Sequence, residues 1–305
     1  MFRRMTTTVG EALRASVARL AERGHPASDA EELVSRLLRA GRGELRALRG
    51  TALTPEQSAT LEAQLLRRLA GEPVQYITGR AAFRHLDLAV DRRVLIPRPE
   101  TELLVEGVLE FLAGADWSRR PPRVLDLGTG SGCIALAIAH EHAAAHVTAT
   151  DASEEALALA RANADACGLT HRVTFASGRW FDAVESDERF DVIVSNPPYV
   201  AGEEARDLPG DVRDWEPATA LFAAEGGLAD LREIVDEAPR HLVAGGLLAL
   251  ELAEARAAEV AGWLEGARDW SAVELRADLA GRPRMVFARR ERGPAIAPAQ
   301  WGAEG

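Results

Sequence analysis

The chain has 305 residues, 47% of them hydrophobic, which is ample for a large core and fits one main domain with a smaller one. The net charge is −11 and every one of its 36 basic residues is Arg; residues 1–80 hold 13 Arg against 9 acids, a balance of +4, so the rest carries −15. That acidic majority argues against tight non-specific binding to DNA, which needs phosphate-neutralising cations, and no apolar run approaches the ~20 residues of a membrane span. Met1-Phe2-Arg3-Arg4-Met5-Thr6 has basic residues with no apolar stretch behind them, so no secretory leader is expected. Cys133 and Cys167 have no paired metal-ligand spacing. They fit buried thiols in a reducing, cytoplasmic setting, with a disulfide as the alternative.

Residues 1–71 read as an all-helical domain. Val9, Leu13, Val17 and Leu20 recur at helical spacing before Gly24. Ser28-Asp29-Ala30-Glu31 has the spacing of a capping box, with Leu33, Val34, Leu37 and Leu38 behind it. Thr54-Pro55-Glu56-Gln57 repeats that pattern with Pro at the first helical position, followed by Leu61, Leu65, Leu69 and Gly71. A small bundle of amphipathic helices serves either as a structural appendage or as a substrate-docking module. Residues 72–98 form a linker with a β-hairpin, and Pro97 and Pro99 stiffen the corner before a helix carrying Leu103, Leu104, Val108, Leu109 and Leu112.

Residues 99–290 read as one α/β domain. Strands are predicted at 123–126, 146–150, 172–175, 191–194, 247–251, 272–275 and 285–288, with helices at 133–141, 154–167, 228–242 and 255–264 between most of them. Such alternation implies a mainly parallel, seven-stranded sheet covered on both faces. The tail 291–305, rich in Ala, Gly and Pro, is expected to be disordered.

Two strand ends carry the chemistry. The apolar run Val192–Val194 meets Ser195-Asn196-Pro197-Pro198-Tyr199, where two prolines end any regular structure. Open α/β sheets bind ligands at such carboxyl ends. The corner suits a planar NH2 group: the Asn196 side-chain oxygen and the Pro197 carbonyl can accept its two N–H bonds, and Tyr199 can lie against its flat face. Earlier, Val124-Leu125-Asp126-Leu127-Gly128-Thr129-Gly130-Ser131-Gly132 runs from a strand through a glycine loop to a helix. Its G-x-G-x-G spacing differs from the G-x-G-x-x-G of dinucleotide sites, so a nucleoside without a pyrophosphate fits better. Asp151, at the end of the next strand, can take both ribose hydroxyls; the alternative is an N-cap for the helix beginning near Ser153. Trp180 can pack on a purine, or belong to the core. His140, His142 and His146 lack a second ligand cluster, and no metal site is expected.

Together these residues resemble the class I S-adenosylmethionine-dependent methyltransferases, which have a Rossmann-like fold. More closely, the chain is similar to the bacterial protein-(glutamine-N5) methyltransferases that modify peptide chain release factors, from about residue 9 to 289. Arg98-Pro99-Glu100-Thr101-Glu102 combined with Asn196-Pro197-Pro198-Tyr199 is the specific part of the match. The resemblance implies S-adenosylmethionine contacts from Gly128, Thr129, Gly130, Ser131, Gly132, Asp151, Trp180 and Asn196. It implies that Asn196, Pro197, Pro198 and Tyr199 hold the glutamine of a release factor's Gly-Gly-Gln loop, with the N-terminal helices gripping the factor. A cytoplasmic monomer without direct nucleic-acid binding is expected. Two stretches depart from the family pattern: Arg179 stands where an acid is frequent, and Glu251-Leu252-Ala253-Glu254-Ala255-Arg256 lacks the usual glycine and glutamine. The rival readings are an adenine-N6 methyltransferase acting on DNA or RNA, and a non-catalytic S-adenosylmethionine-binding protein of the translation machinery.

Overall fold

The computed structural model describes residues 7–291, which divide into two compact units. Of the described residues, one takes in 7–81 together with Val90–Arg92 and Leu208–Glu216; the other takes in Ala82–Ala89, Arg93–Asp207 and 217–291. The segment Leu208–Glu216, far along the α/β sequence, thus clusters with the helical unit. Arg68 and Trp215 account for this. The Arg68 guanidinium, 4% exposed, bonds to Asp29 at 2.7 Å and Asp211 at 3.2 Å, and the Arg92 guanidinium lies 4.0 Å from the Trp215 ring centre.

The helical unit contains α1 (Val9–Ala21), α2 (Ala27–Leu38), α3 (Arg42–Ala47), α4 (Pro55–Leu69) and α5 (Val74–Thr78). Thr54 caps α4 as its spacing predicts, accepting from Gln57 N at 3.1 Å while Gln57 Oε1 accepts from Thr54 N at 2.9 Å. The box expected at Ser28 does not form. Pro26 is the N-cap of α2, so Ser28 already lies inside the helix, and Asp29 is buried against Arg68. Leu20, Leu33, Val34, Leu61 and Leu65 close the core of this unit. The stretch 72–98 holds α5 as well as the expected hairpin of β1 (Arg80–Phe83) and β2 (Leu86–Ala89).

The second unit is built on α6 (Pro99–Ala113), β3 (Arg123–Leu127), α7 (Cys133–Glu141), β4 (His146–Asp151), α8 (Glu154–Ala166), β5 (Val173–Ser177) and β6 (Phe190–Ser195). After the short turns α9 (Gly210–Arg213, clustered with the helical unit), α10 (Ala218–Leu221) and α11 (Ala224–Gly227) come α12 (Ala229–His241), β7 (Leu242–Glu251), α13 (Glu254–Gly266), β8 (Trp270–Ala277) and β9 (Pro283–Arg290). The seven-stranded sheet has the order β5-β4-β3-β6-β7-β9-β8, parallel except that β9 is antiparallel to β7 and β8. Successive side chains point to opposite faces of a strand. Accordingly Val124, Val192, Val194, Leu247 and Phe287 enter one core while Leu125, Ile193, Leu248, Leu250 and Val286 enter the other. β7 begins at Leu242, five residues ahead of the predicted strand, where its pairing with β6 is irregular.

The chain builds outward through β3, β4 and β5, then returns to the other side of β3 with β6. The carboxyl ends of β3 and β6 therefore flank the switch point where open α/β sheets bind ligands. Leu127 pairs with Thr150 on one side and Ser195 on the other, so Gly128, Asp151 and Asn196 leave the sheet side by side. Ser195 Oγ donates to Leu127 O at 2.7 Å and ties two of these exits together. Neither Cys133 nor Cys167 is in a disulfide, and both are half-buried. Among the described residues no helix is long and apolar enough to cross a membrane, and no group of His, Cys, Asp or Glu could hold a metal ion. The tail 292–305 lies outside the described residues.

Candidate functional site

A cavity of about 470 Å³ opens at this switch point. Its wall includes Gly128, Thr129, Gly130, Ser131, Asp151, Trp180, Asn196 and Pro198 from the sequence reading; Gly132, Pro197 and Tyr199 lie outside its lining. Gly132 has φ +84° and caps α7, where a Cβ would press on Leu136 and Ala160.

The glycine loop is held by its own amides. Thr129 N donates to Thr150 O at 2.9 Å, Gly132 N to Thr129 O at 2.9 Å, and Gly130 N to Asp151 Oδ2 at 2.9 Å. Three of the loop amides are thus committed, and the carboxylate on Gly130 would repel a pyrophosphate. Asp151 Oδ1 accepts from Ser153 N at 2.9 Å, and both oxygens keep lone-pair capacity. Asp151 is not the cap of α8, because Ser153 fills that role by accepting from Ala156 N at 3.2 Å. Asp126 lies below the loop, fully buried, accepting from Thr129 Oγ1 at 2.6 Å and Ala135 N at 3.2 Å; burial pushes its carboxyl up to about 7. Burial likewise pushes the Cys133 thiol, in the cavity wall, up to about 12.

Trp180 is both wall and core. It is 8% exposed, packs with Leu125 and Leu127, and faces Gly128, where a Cβ would sit 3.2 Å from the ring. Its φ is +47°, a left-handed conformation costly for a bulky residue, and its Nε1 is buried without a partner. Arg179 bonds to Asp230 at 2.8 Å and Glu233 at 2.5 Å, pinning the first two turns of α12 to the loop after β5.

The corner after β6 is held from three directions. Asn196 Nδ2 donates to Thr101 Oγ1 at 3.2 Å, Thr101 Oγ1 donates to Glu251 Oε2 at 2.6 Å, and Tyr199 Oη donates to Glu251 Oε1 at 3.2 Å. Burial pushes the Glu251 carboxyl up to about 7, against the opposing effect of those hydrogen bonds, and raises the Tyr199 phenol. Val200 exchanges backbone bonds with the next turns: its N–H donates to Leu221 O and its carbonyl accepts from Ala223 N, each at 3.0 Å. Gly227, at φ +86°, leaves room for the Tyr199 carbonyl, which a Cβ would meet at 2.2 Å. Arg256 bonds to Glu204 Oε1 at 2.8 Å, and Glu204 accepts from Ala201 N at 3.0 Å, which stiffens the turn beyond Tyr199.

Thr101, Glu251 and Gly227 were not singled out as site residues in the sequence. The stiff loop at Pro97–Thr101 and the position of Glu251 at a strand end were the available signals. Nothing local links residues 95 and 150 positions apart.

Family models match two parts of the chain: a PrmC N-terminal domain over residues 11–79 and a Methyltransferase small domain over residues 102–209. A release factor glutamine methyltransferase of Cereibacter sphaeroides is 42% identical over 281 residues, covering 92% of this chain and 97% of the relative. That of Bordetella pertussis is 42% identical over 268 residues, covering 87% and 96%. Among solved structures, the hMettl16 catalytic domain in complex with MAT2A 3'UTR hairpin 6 has a TM-score of 0.54 at 15% identity, covering 80% of this chain and 84% of that one, a likeness of fold alone. At such identity over nearly the whole length of its relatives, the chain belongs to the release factor glutamine methyltransferase family.

Proposed function

We propose that this chain methylates the side-chain amide nitrogen of the glutamine in the Gly-Gly-Gln loop of a peptide chain release factor. The chain is an S-adenosylmethionine-dependent methyltransferase. The cofactor supplies a methyl group already activated by a positive sulfur. The residues fit it: a carboxylate and bare glycine backbone for a nucleoside, loop amides committed elsewhere, and an indole wall. Gly128 to Ser131, Asp151 and Trp180 would bind it, and Gly132 would shape the loop from behind.

An amide nitrogen is a poor nucleophile because its lone pair is delocalised into the carbonyl. Asn196 Oδ1 and the Pro197 carbonyl would accept its two N–H bonds and fix its direction, with Pro198 and Tyr199 holding the corner rigid. Positioning of this kind contributes several kcal/mol to rate. Acceptors beside the N–H protons also stabilise positive charge that develops on nitrogen, and loss of one of the two N–H protons to solvent after transfer restores a neutral amide. The observation that carries this reading is the joint placement of Asn196 and the glycine loop in one cavity wall. The acidic net charge supports a protein substrate over nucleic acid, and a monomer acting in the cytoplasm on free or ribosome-bound factor completes the reading.

Mass spectrometry tests it. The purified chain is incubated with S-adenosylmethionine and an unmodified bacterial release factor, and the factor is digested. A gain of one CH2 on the Gly-Gly-Gln peptide is expected. Label entering adenine of nucleic acid, or bound cofactor without any methylated product, would overturn the reading.

A further inference from the structure

Asn196 cannot orient itself. The oxygen and NH2 of a primary amide are nearly equal in size, so hydrogen bonding alone decides which faces a substrate. An NH2 turned toward a substrate NH2 would set donor against donor. The neighbours of Asn196 remove that ambiguity. While Glu251 is ionised it only accepts, so Thr101 and Tyr199 then both donate to it. Threonine has one hydroxyl proton, and it is spent on Glu251. Thr101 therefore shows Asn196 only lone pairs, and the atom it meets at 3.2 Å is Nδ2. Thr101 is 2% exposed and Glu251 1%, which keeps solvent from breaking this one-way chain. Thr101 borders the cavity, whereas Glu251 is not part of its lining.

We infer that Thr101 and Glu251 are positioning residues for methyl transfer: their one-way hydrogen bonds force Asn196 to present its oxygen to the substrate amide. The inference rests on the reading of Asn196 as an acceptor for the glutamine NH2. It also assigns work to Glu251 within a stretch that departs from the family pattern. Protonated Glu251 keeps its proton and can donate a hydrogen bond to Thr101 Oγ1, which frees the Thr101 hydroxyl to donate to Asn196 and turn the amide round. The ionisable groups around Glu251 are Tyr199, Glu100, Arg284 and, more distantly, Cys133.

The test compares Thr101→Val, of similar shape without the hydroxyl, with Thr101→Ser, which keeps it. The full chain is assayed for methyl transfer to a release factor, with S-adenosylmethionine affinity by calorimetry and melting temperature measured alongside. Thr101→Val should lose kcat about 10- to 100-fold, less than the roughly 10²- to 10³-fold lost with a group that itself meets the reacting atoms, because Thr101 acts through Asn196. Its cofactor affinity and melting should stay near wild type, and Thr101→Ser should recover most of the rate. Unchanged kcat in Thr101→Val, or an equal loss in Thr101→Ser, would overturn the inference. So would a loss confined to cofactor affinity. Should Thr101→Val fail to fold, Glu251→Gln decides: wild-type kcat should rise with pH through about neutrality and the variant's profile should be flatter and lower, whereas superimposable profiles overturn the inference. A wild-type chain that leaves the factor unmodified would overturn the functional reading as well; normal wild-type activity with indifferent variants would overturn this inference alone.

Discussion

Gly227→Ala should disable the enzyme from a position that does not touch the cavity. Gly227 has φ +86°, and a Cβ there would meet the Tyr199 carbonyl oxygen at 2.2 Å, its carbon at 2.9 Å and Ala201 N at 3.3 Å. The left-handed conformation costs a non-glycine residue about 1–2 kcal/mol. The contact is the larger problem, because both sides are backbone. Restoring an ordinary separation of about 3.5 Å requires roughly 1 Å of movement between Gly227 and Tyr199. Gly227 is preceded by Glu225 and Gly226, themselves at φ +53° and +65°. The Tyr199 side is tied through Val200 to Leu221 and Ala223. Displacing the corner by that amount should reduce kcat about 100-fold, the scale on which misplaced reacting groups lose rate. S-adenosylmethionine affinity, which the proposed site places at the β3 and β4 ends, should change far less. Initial rates on a release factor, cofactor calorimetry and a thermal melt measure the three effects. Full kcat in a normally folded Gly227→Ala would refute the claim that this glycine shapes the corner.

Asp151→Ala should weaken S-adenosylmethionine binding about 10- to 100-fold by calorimetry, the scale for hydrogen bonds to a charged group; unaltered affinity would remove Asp151 from the site. Arg68→Ala should destabilise the helical unit by about 3–5 kcal/mol in denaturant melts, because it leaves Asp29 buried without its cation; a change under about 1 kcal/mol would show that the pair is dispensable. The Glu251 and Asp126 carboxyls are both raised to about 7. Their contribution to stability is full below their unfolded values near 4 and is lost as pH rises through 7. Glu251→Gln should therefore show a shallower fall in melting temperature between pH 5 and 8 than wild type, and parallel curves would contradict the assignment.

Much of the fold was legible because its signals are local. Val192–Val194 is short, β-branched and stopped by proline, and it lies within β6. Thr54 and Pro55 start α4 through contacts three residues apart. Where a local signal competed with a distant partner, the partner won: Asp29 has a capping-box neighbourhood, but Arg68, 39 positions away, buries it inside α2. Strain was hidden as well. Trp180 and Glu225 adopt left-handed backbone that their residue types rarely take, so only the fold around them dictates it.

The site divides in the same way. Atoms that can meet a ligand sit at strand ends and leave local marks: glycines, an Asp, an Asn followed by prolines. The groups that aim those atoms need only lie beside them in space, and any hydroxyl or carboxylate will serve if its own partners fix its direction. Thr101 sits at the start of α6, inside the Arg98–Glu102 motif, and Glu251 at the end of β7, but nothing in the sequence places either beside Asn196. Their role follows from proton counting: one hydroxyl proton, an acceptor on one side, and an amide left with a single way to turn. That polarity depends on all three residues together. A single substitution at Thr101, which changes no charge and little shape, is therefore the sharper probe of how Asn196 is aimed than any change at Asn196 itself.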